Sequence, residues 1–365
     1  WPNHHQSPTR RPMSFYVRSK RIIKQNMSGL KKMPLRKYLF FIAWLITIAN
    51  FGWQIAGRGI IHSQSYNLMN HVMIVICTIT LIMWFPVPLH DHPNEKEQIK
   101  WGRFIIVSIL TTIILVLLND YFGQYLVYVL IAVAIVGIII IKPRLTMREI
   151  SYALILSLVV GITGLGNPFV EKPFFGSILQ FLLVLTSVLA GWALLRLSGL
   201  AKMGIGISSF LSVGLRSSII GFFQGILISL PWALNLIADG SHINEIWVCN
   251  WWQPLFAINP GISEEIWRGL LLVPLLFLLL RKFSNQRKAY IASMLIITFW
   301  FAYIHTPGGI EYIIMAIFWG TIYTLPLSFI CLHKDLESAI GFHFGLDFMS
   351  LFAAYILNSG YLLSF

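Results

Sequence analysis

The chemistry-bearing side chains of this 365-residue chain gather in its last third, at Glu264, Glu265, Arg268, His305, His343 and Asp347. The first three sit in Gly261-Ile262-Ser263-Glu264-Glu265-Ile266-Trp267-Arg268-Gly269. On a helix, Arg268 is the i+4 neighbour of Glu264 and the i+3 neighbour of Glu265, so one guanidinium reaches both carboxylates. It can hold one of them through paired hydrogen bonds and leave the other free. Two adjacent carboxylates that share one cation are chemically unequal, and one can serve as a base that activates water. Pro260 and Ser263 suit the start of such a helix, whose dipole favours acidic groups.

Two further clusters complete the set. In Phe301-Ala302-Tyr303-Ile304-His305 the ring and the imidazole share one helix face, so the phenylalanine walls a site that the histidine enters. In His343-Phe344-Gly345-Leu346-Asp347 an i, i+4 pair presents an imidazole and a carboxylate to one point. Gly341 and Gly345 allow a neighbouring backbone to come close. Hydrolysis by carboxylate-activated water needs only these groups. Glu264, His305, His343 and Asp347 are also the donor types of a zinc site. His-Glu-x-x-His is absent, so no cofactor is expected, with zinc as the alternative.

The elements that must position these residues are membrane helices. The chain is 57% hydrophobic and 11% charged, whereas soluble domains carry about 25% charged residues. Too little polar surface is available to face water. About eleven apolar stretches approach the length that crosses roughly 30 Å of hydrocarbon. They fall near 37–56, 70–89, 103–118, 121–141, 151–167, 175–195, 217–237, 263–280, 289–305, 311–332 and 337–358. No alternating barrel pattern is present, so the expected fold is an all-α transmembrane bundle. An ionisable group inside lipid costs about 2.5–3.5 kcal/mol on insertion scales, which marks the six residues above as functional candidates.

The net charge of +13 does not indicate nucleic acid. Lys and Arg lie in the N-terminal tail and in alternate short loops, as in Lys142, Arg144 and Arg148, or Arg281, Lys282, Arg287 and Lys288. That asymmetry places the N-terminus in the cytoplasm. The expected organisation is a basic tail over 1–36, about six spans over 37–198, an interfacial connector over 199–216 and a functional core over 217–365. Met27 is expected to be the translation start, with the residues before it a gene-boundary artefact, and no cleavable signal peptide is expected. Cys77, Cys249 and Cys331 lack disulfide or zinc spacing. Trp247, Trp251 and Trp252 are expected to form an interfacial aromatic belt.

Glu-Glu…Arg, then Phe-x-x-x-His, then His-x-x-x-Asp, in order on three spans, resembles the CPBP (CAAX protease and bacteriocin-processing, or Abi) family. That family includes type II CAAX prenyl endopeptidases and proteins similar to lysostaphin resistance protein A. Arg268-Gly269-Leu270-Leu271 and Leu336-Glu337-Ser338-Ala339-Ile340 add to the resemblance, which covers roughly 217–365. It implies an integral membrane peptidase, of a bacterial plasma membrane, acting on a membrane-associated peptide or lipidated protein. The settings it implies are CAAX-type processing, peptide processing or bacteriocin self-immunity. By the same resemblance Glu264 or Glu265 is the base, His305 holds the water, and His343 with Asp347 stabilises the oxyanion. Arg268 pairs with the non-catalytic glutamate.

The family usually separates the glutamate pair from the arginine by three residues, and here only Ile266 and Trp267 intervene. The choice of base therefore stays open, with Glu264 favoured by its i+4 relation to Arg268. The span limits also leave His343 about 10 Å too deep on the cytoplasmic side to meet Glu264 and His305. A tilted last helix, a loop at 333–336 that enters the membrane, or a shifted span limit would each remove that offset. A non-catalytic immunity factor, scaffold or transporter that keeps the polar cluster is the competing reading.

Overall fold

The structure, a computed structural model, describes residues 101–166, 173–200, 214–239, 247–306 and 312–359. The expected tail, the first two expected spans and most of the connector lie outside the described residues. Among the described residues every regular element is helical.

Each apolar stretch expected from residue 103 onward is a helix. The series runs α1 (Trp101–Phe122), α2 (Leu126–Ile141), α3 (Met147–Gly164), α4 (Pro173–Ser198) and α5 (Leu215–Asp239). Then come α6 (258–280), α7 (Gln286–Ile304), α8 (313–333) and α9 (Leu336–Asn358). Local signals set the ends. Thr146 and Glu149 form a reciprocal capping box at the start of α3. Asn285 caps α7, and the Asp335 carboxylate accepts from the Ser338 N–H at 2.6 Å to cap α9.

Among the described residues four helices are long and apolar enough to cross a bilayer, over 102–120, 147–164, 173–198 and 336–358. The described part of the chain is therefore that of an all-helical, multispanning membrane protein. The expected number of about eleven is not tested in full, since the first two expected spans lie outside the described residues; within them α2 has only 16 residues, and α6 and α8 are interrupted. Ile105, Ile106, Ile109 and Ile113 of α1 are exposed, as a lipid-facing surface requires.

The interruptions are π-helical. Glu265–Leu272 forms a wide turn within α6, and Gly320–Thr324 forms one within α8. A proline follows each, Pro274 and Pro326. Proline cannot donate to the carbonyl four residues back, and its ring crowds that carbonyl. Widening relieves the conflict, and the Val273 N–H bonds instead to the carbonyl of Arg268.

Small residues bring α5 and α9 together. A Cβ at Gly341 or Gly345 would collide with the carbonyl oxygen of Ser218 or Phe222. Reciprocally, a Cβ at Gly221 or Gly225 would collide with the carbonyl of Ser338 or Phe342. Two small-xxx-small pairs thus interlock backbone to backbone. Gly261 of α6 also lies against Ile340 and Phe344 of α9. At one end of the bundle Arg196 pairs with Glu149 and donates to the Arg144 carbonyl, while Arg281 donates to the Ser198 carbonyl. Three of the basic segments therefore meet at the same end.

The turn between α8 and α9 does not reach that end. Cys331 lies against Gly269, at the middle of α6. Leu280, the last residue of α6, is eleven residues further on, about 16 Å along the axis. α9 thus begins well inside the bundle, and the 10 Å offset expected from the span limits disappears. The turn between α8 and α9 therefore lies level with the middle of α6 rather than with its end.

Candidate active site

α6 delivers the two glutamates in opposite directions. Glu265 and Arg268 are both 0% exposed. The Arg268 guanidinium donates to Glu265 Oε2 at 2.5 Å and to the Ser328 hydroxyl. Ser328 also hydrogen-bonds Thr298 at 2.7 Å, so α6, α7 and α8 are tied at one buried point. The guanidinium carbon stands 5.1 Å over the Phe301 ring. Arg268 therefore pairs with the i+3 glutamate. The i+4 relation that favoured Glu264 at the outset is not the contact made, and the shortened spacing still closes an ion pair.

Glu264 faces a cavity of about 750 Å³. His305, at the C-terminal end of α7, fixes its ring by Nδ1, which donates to the Phe301 carbonyl at 2.8 Å. Its Nε2 lies 3.8 Å from Glu264 Oε1. His343 of α9 donates from Nδ1 to Glu265 Oε1 at 3.0 Å. Its Nε2 looks into the cavity, 3.6 Å from Glu264 Oε2 and 3.4 Å from Asp347 Oδ2. Phe301 packs on His305 and Trp267 and stands edge-on to His343.

All seven residues singled out from the sequence thus meet in one place. Glu264, His305, His343 and Asp347 line the cavity together with Phe301, while Glu265 and Arg268 support it from behind. Trp232, Trp247, Phe256, Trp319 and Tyr323 give the remaining wall an aromatic part, beside aliphatic and small polar residues. Trp251 and Trp252 are exposed, in keeping with an interfacial belt, but Trp247 belongs to the cavity and packs on Phe256. Cys249 and Cys331 are free thiols.

Some supporting residues had a readable signal and others did not. Gly221 and Gly225 carry the same small-xxx-small spacing as Gly341 and Gly345 and could have been matched to them. Nothing local marks Ser328 or Thr298 as partners of the site. Among the described residues no group of three or more His, Cys, Asp or Glu side chains is arranged to hold a metal ion. One imidazole nitrogen of His343 is already committed to Glu265.

An apolar helical bundle that buries a carboxylate-imidazole cluster around a cavity defines a membrane protein with an intramembrane site. Residues 245–349, less than a third of the chain, match the family model described as type II CAAX prenyl endopeptidase Rce1-like, and over that segment the chain is similar to this protease family. The match spans α6, α7, α8 and α9 as far as Met349, narrower than the 217–365 expected, and includes all seven residues singled out from the sequence. No curated protein and no solved structure matches the chain.

Proposed function

We propose that the chain is an intramembrane peptidase in which Glu264 activates water. The observation that carries this reading is the division of labour between the glutamates: Glu264 faces the cavity, while Glu265 is buried against Arg268 and His343. Glu264 Oε takes a proton from a water held between it and His305 Nε2. The resulting hydroxide adds to the scissile carbonyl, and a proton on His343 Nε2, oriented by Asp347, faces the developing oxyanion. Glu264 then returns its proton to the leaving amine as the carbon–nitrogen bond breaks. Glu265 and Arg268 hold His343 in the ring orientation this requires.

The aromatic and aliphatic residues of the wall suit an apolar peptide or a peptide carrying a lipid. CAAX-type trimming and bacteriocin-type peptide processing are the two settings that the family resemblance offers. About eleven spans, a cytoplasmic N-terminus and a bacterial plasma membrane complete the proposal.

The test is incubation of purified protein in detergent with free and prenylated peptide pools, read by mass spectrometry, with and without a chelator. Glu264→Gln and Glu265→Gln serve as controls. New termini that vanish in Glu264→Gln support the reading, and unchanged cleavage under chelation supports the metal-free route. Intact pools, free and prenylated, would move the assignment to a non-catalytic membrane protein, and loss of cleavage on chelation alone would move it to a metal mechanism.

A further inference from the structure

α1 lies outside the family match and carries none of the seven site residues, yet it holds the helix end that bears His305. Two of its polar groups accept hydrogen bonds from α7. The Trp300 indole Nε1 donates to the Leu115 carbonyl at 2.8 Å. The Tyr303 hydroxyl donates to the Asp120 carboxylate, 3.1 Å from Oδ1 and 3.2 Å from Oδ2. Trp300 and Tyr303 are both buried. With about 100° between successive residues they share one face of α7, and Phe301 and His305 share another, about 150° round the helix. α1 therefore backs α7 on the side away from the cavity. The Trp300 ring also stands edge-on to Trp267 of α6, which packs on Phe301.

The turn that carries His305 begins at Tyr303. The Tyr303 carbonyl accepts from the Thr306 N–H at 2.9 Å and from the Thr306 hydroxyl at 2.7 Å. The His305 N–H bonds to the Ala302 carbonyl at 3.2 Å, and its ring to the Phe301 carbonyl at 2.8 Å. Backbone and imidazole are thus both tied to this turn and move with it. Leu115 and Asp120 are five residues apart on α1, about 7.5 Å along its axis. Attachments at two heights fix the rotation of α7 as well as its slide. In an apolar interior a polar group that loses its partner finds no water to replace it, so neither bond is lost freely. The position so fixed places His305 Nε2 3.8 Å from Glu264 Oε1, across the gap assigned above to the attacking water.

We infer that α1 is part of the site, with Asp120 and Tyr303 as positioning residues that set His305 against Glu264. Neither lines the cavity, so they act through His305 and not on a bound peptide. The segment that matches the protease family is then incomplete without a helix that ends at Phe122. The kinetic consequence rests on the peptidase reading, while the geometric one does not.

The test compares Tyr303→Phe, Asp120→Ala and Asp120→Asn in the full chain by two readouts. One is kcat and KM on a cleaved peptide. The other is the pair of imidazole nitrogen resonances of His305 and His343 in histidine-labelled protein, identified by their loss in His305→Gln and His343→Gln. Misplacing a reacting group by about 1 Å can cost on the order of 100-fold in rate. Tyr303→Phe and Asp120→Ala should each lower kcat by roughly 10- to 100-fold, leave KM unchanged and move the His305 resonance but not that of His343. Their combination should be no worse than the worse single change, because both break the same bond. Asp120→Asn, whose amide oxygen still accepts from Tyr303, should recover most of the loss. Unchanged kcat, a fall with the His305 resonance unmoved, an equal shift of both resonances, or Asp120→Asn as impaired as Asp120→Ala overturns the inference. Should Asp120→Ala fail to fold, Tyr303→Phe, which removes a single oxygen, decides. If the wild-type chain cleaves no peptide, the peptidase reading fails and the His305 resonance in Tyr303→Phe still decides the positioning by itself.

Discussion

Glu264 and Glu265 are adjacent and chemically identical, yet the structure assigns them opposite sensitivities. Glu265→Gln removes the charge facing Arg268, whose guanidinium is 0% exposed and 2.5 Å from the carboxylate. Breaking one partner of a buried pair costs about 3–5 kcal/mol, because the remaining charge is stranded. The same change weakens the bond that orients His343, so activity falls as well. Glu264→Gln touches no such partner: its side chain is 22% exposed, at a cavity wall. A polar, nearly isosteric change there should move stability by no more than about 0.5 kcal/mol. Catalysis should nevertheless fall by roughly 100- to 10,000-fold, the usual worth of a general base. The assay pairs thermal unfolding in detergent with turnover of a cleaved peptide. A third variant, Glu265→Gln with Arg268→Met, removes the stranded charge. It should recover part of the stability lost in Glu265→Gln, since an apolar replacement of a buried pair is often tolerated, but not the activity. Equal destabilisation by the two single Gln variants, or retained turnover in Glu264→Gln, would refute the assignment.

Further outcomes follow from the packing. Gly345→Val puts a branched side chain where the Phe222 carbonyl already lies; it should cost at least about 1–3 kcal/mol by overpacking and reduce activity, measured by melting and turnover. Pro274→Ala restores the missing N–H donor and lets the π-turn over Glu265–Leu272 tighten towards α-helix. Stability should hold or rise, proline being about 3 kcal/mol worse than alanine within a helix, while turnover falls as Glu265 and Arg268 change register. Trp247→Ala should raise KM because Trp247 lines the cavity, whereas Trp251→Ala, at an exposed position, should leave KM unchanged.

The sequence by itself determined the solvent, the secondary structure and the membership of the site. An 11% charged chain with repeated apolar runs has to be helical in lipid, where the backbone must satisfy its own hydrogen bonds. Charged groups are costly there, so Glu264, Glu265, Arg268, His305, His343 and Asp347 stood out without a structure. Which glutamate faces the cavity was decided only in three dimensions. Arg268 takes the i+3 partner inside a π-turn that Pro274 favours, with Ser328 and Thr298 from two other helices completing its pocket. The depth of His343 was likewise a tertiary matter. It follows from a turn between α8 and α9 that lies level with the middle of α6, and from the interlocked glycines of α5 and α9, whose meeting depends on contacts across more than a hundred residues of chain. Local periodicity shows which face of a helix is apolar, but not how far one helix is slid along another, because that offset is set by partners remote in sequence.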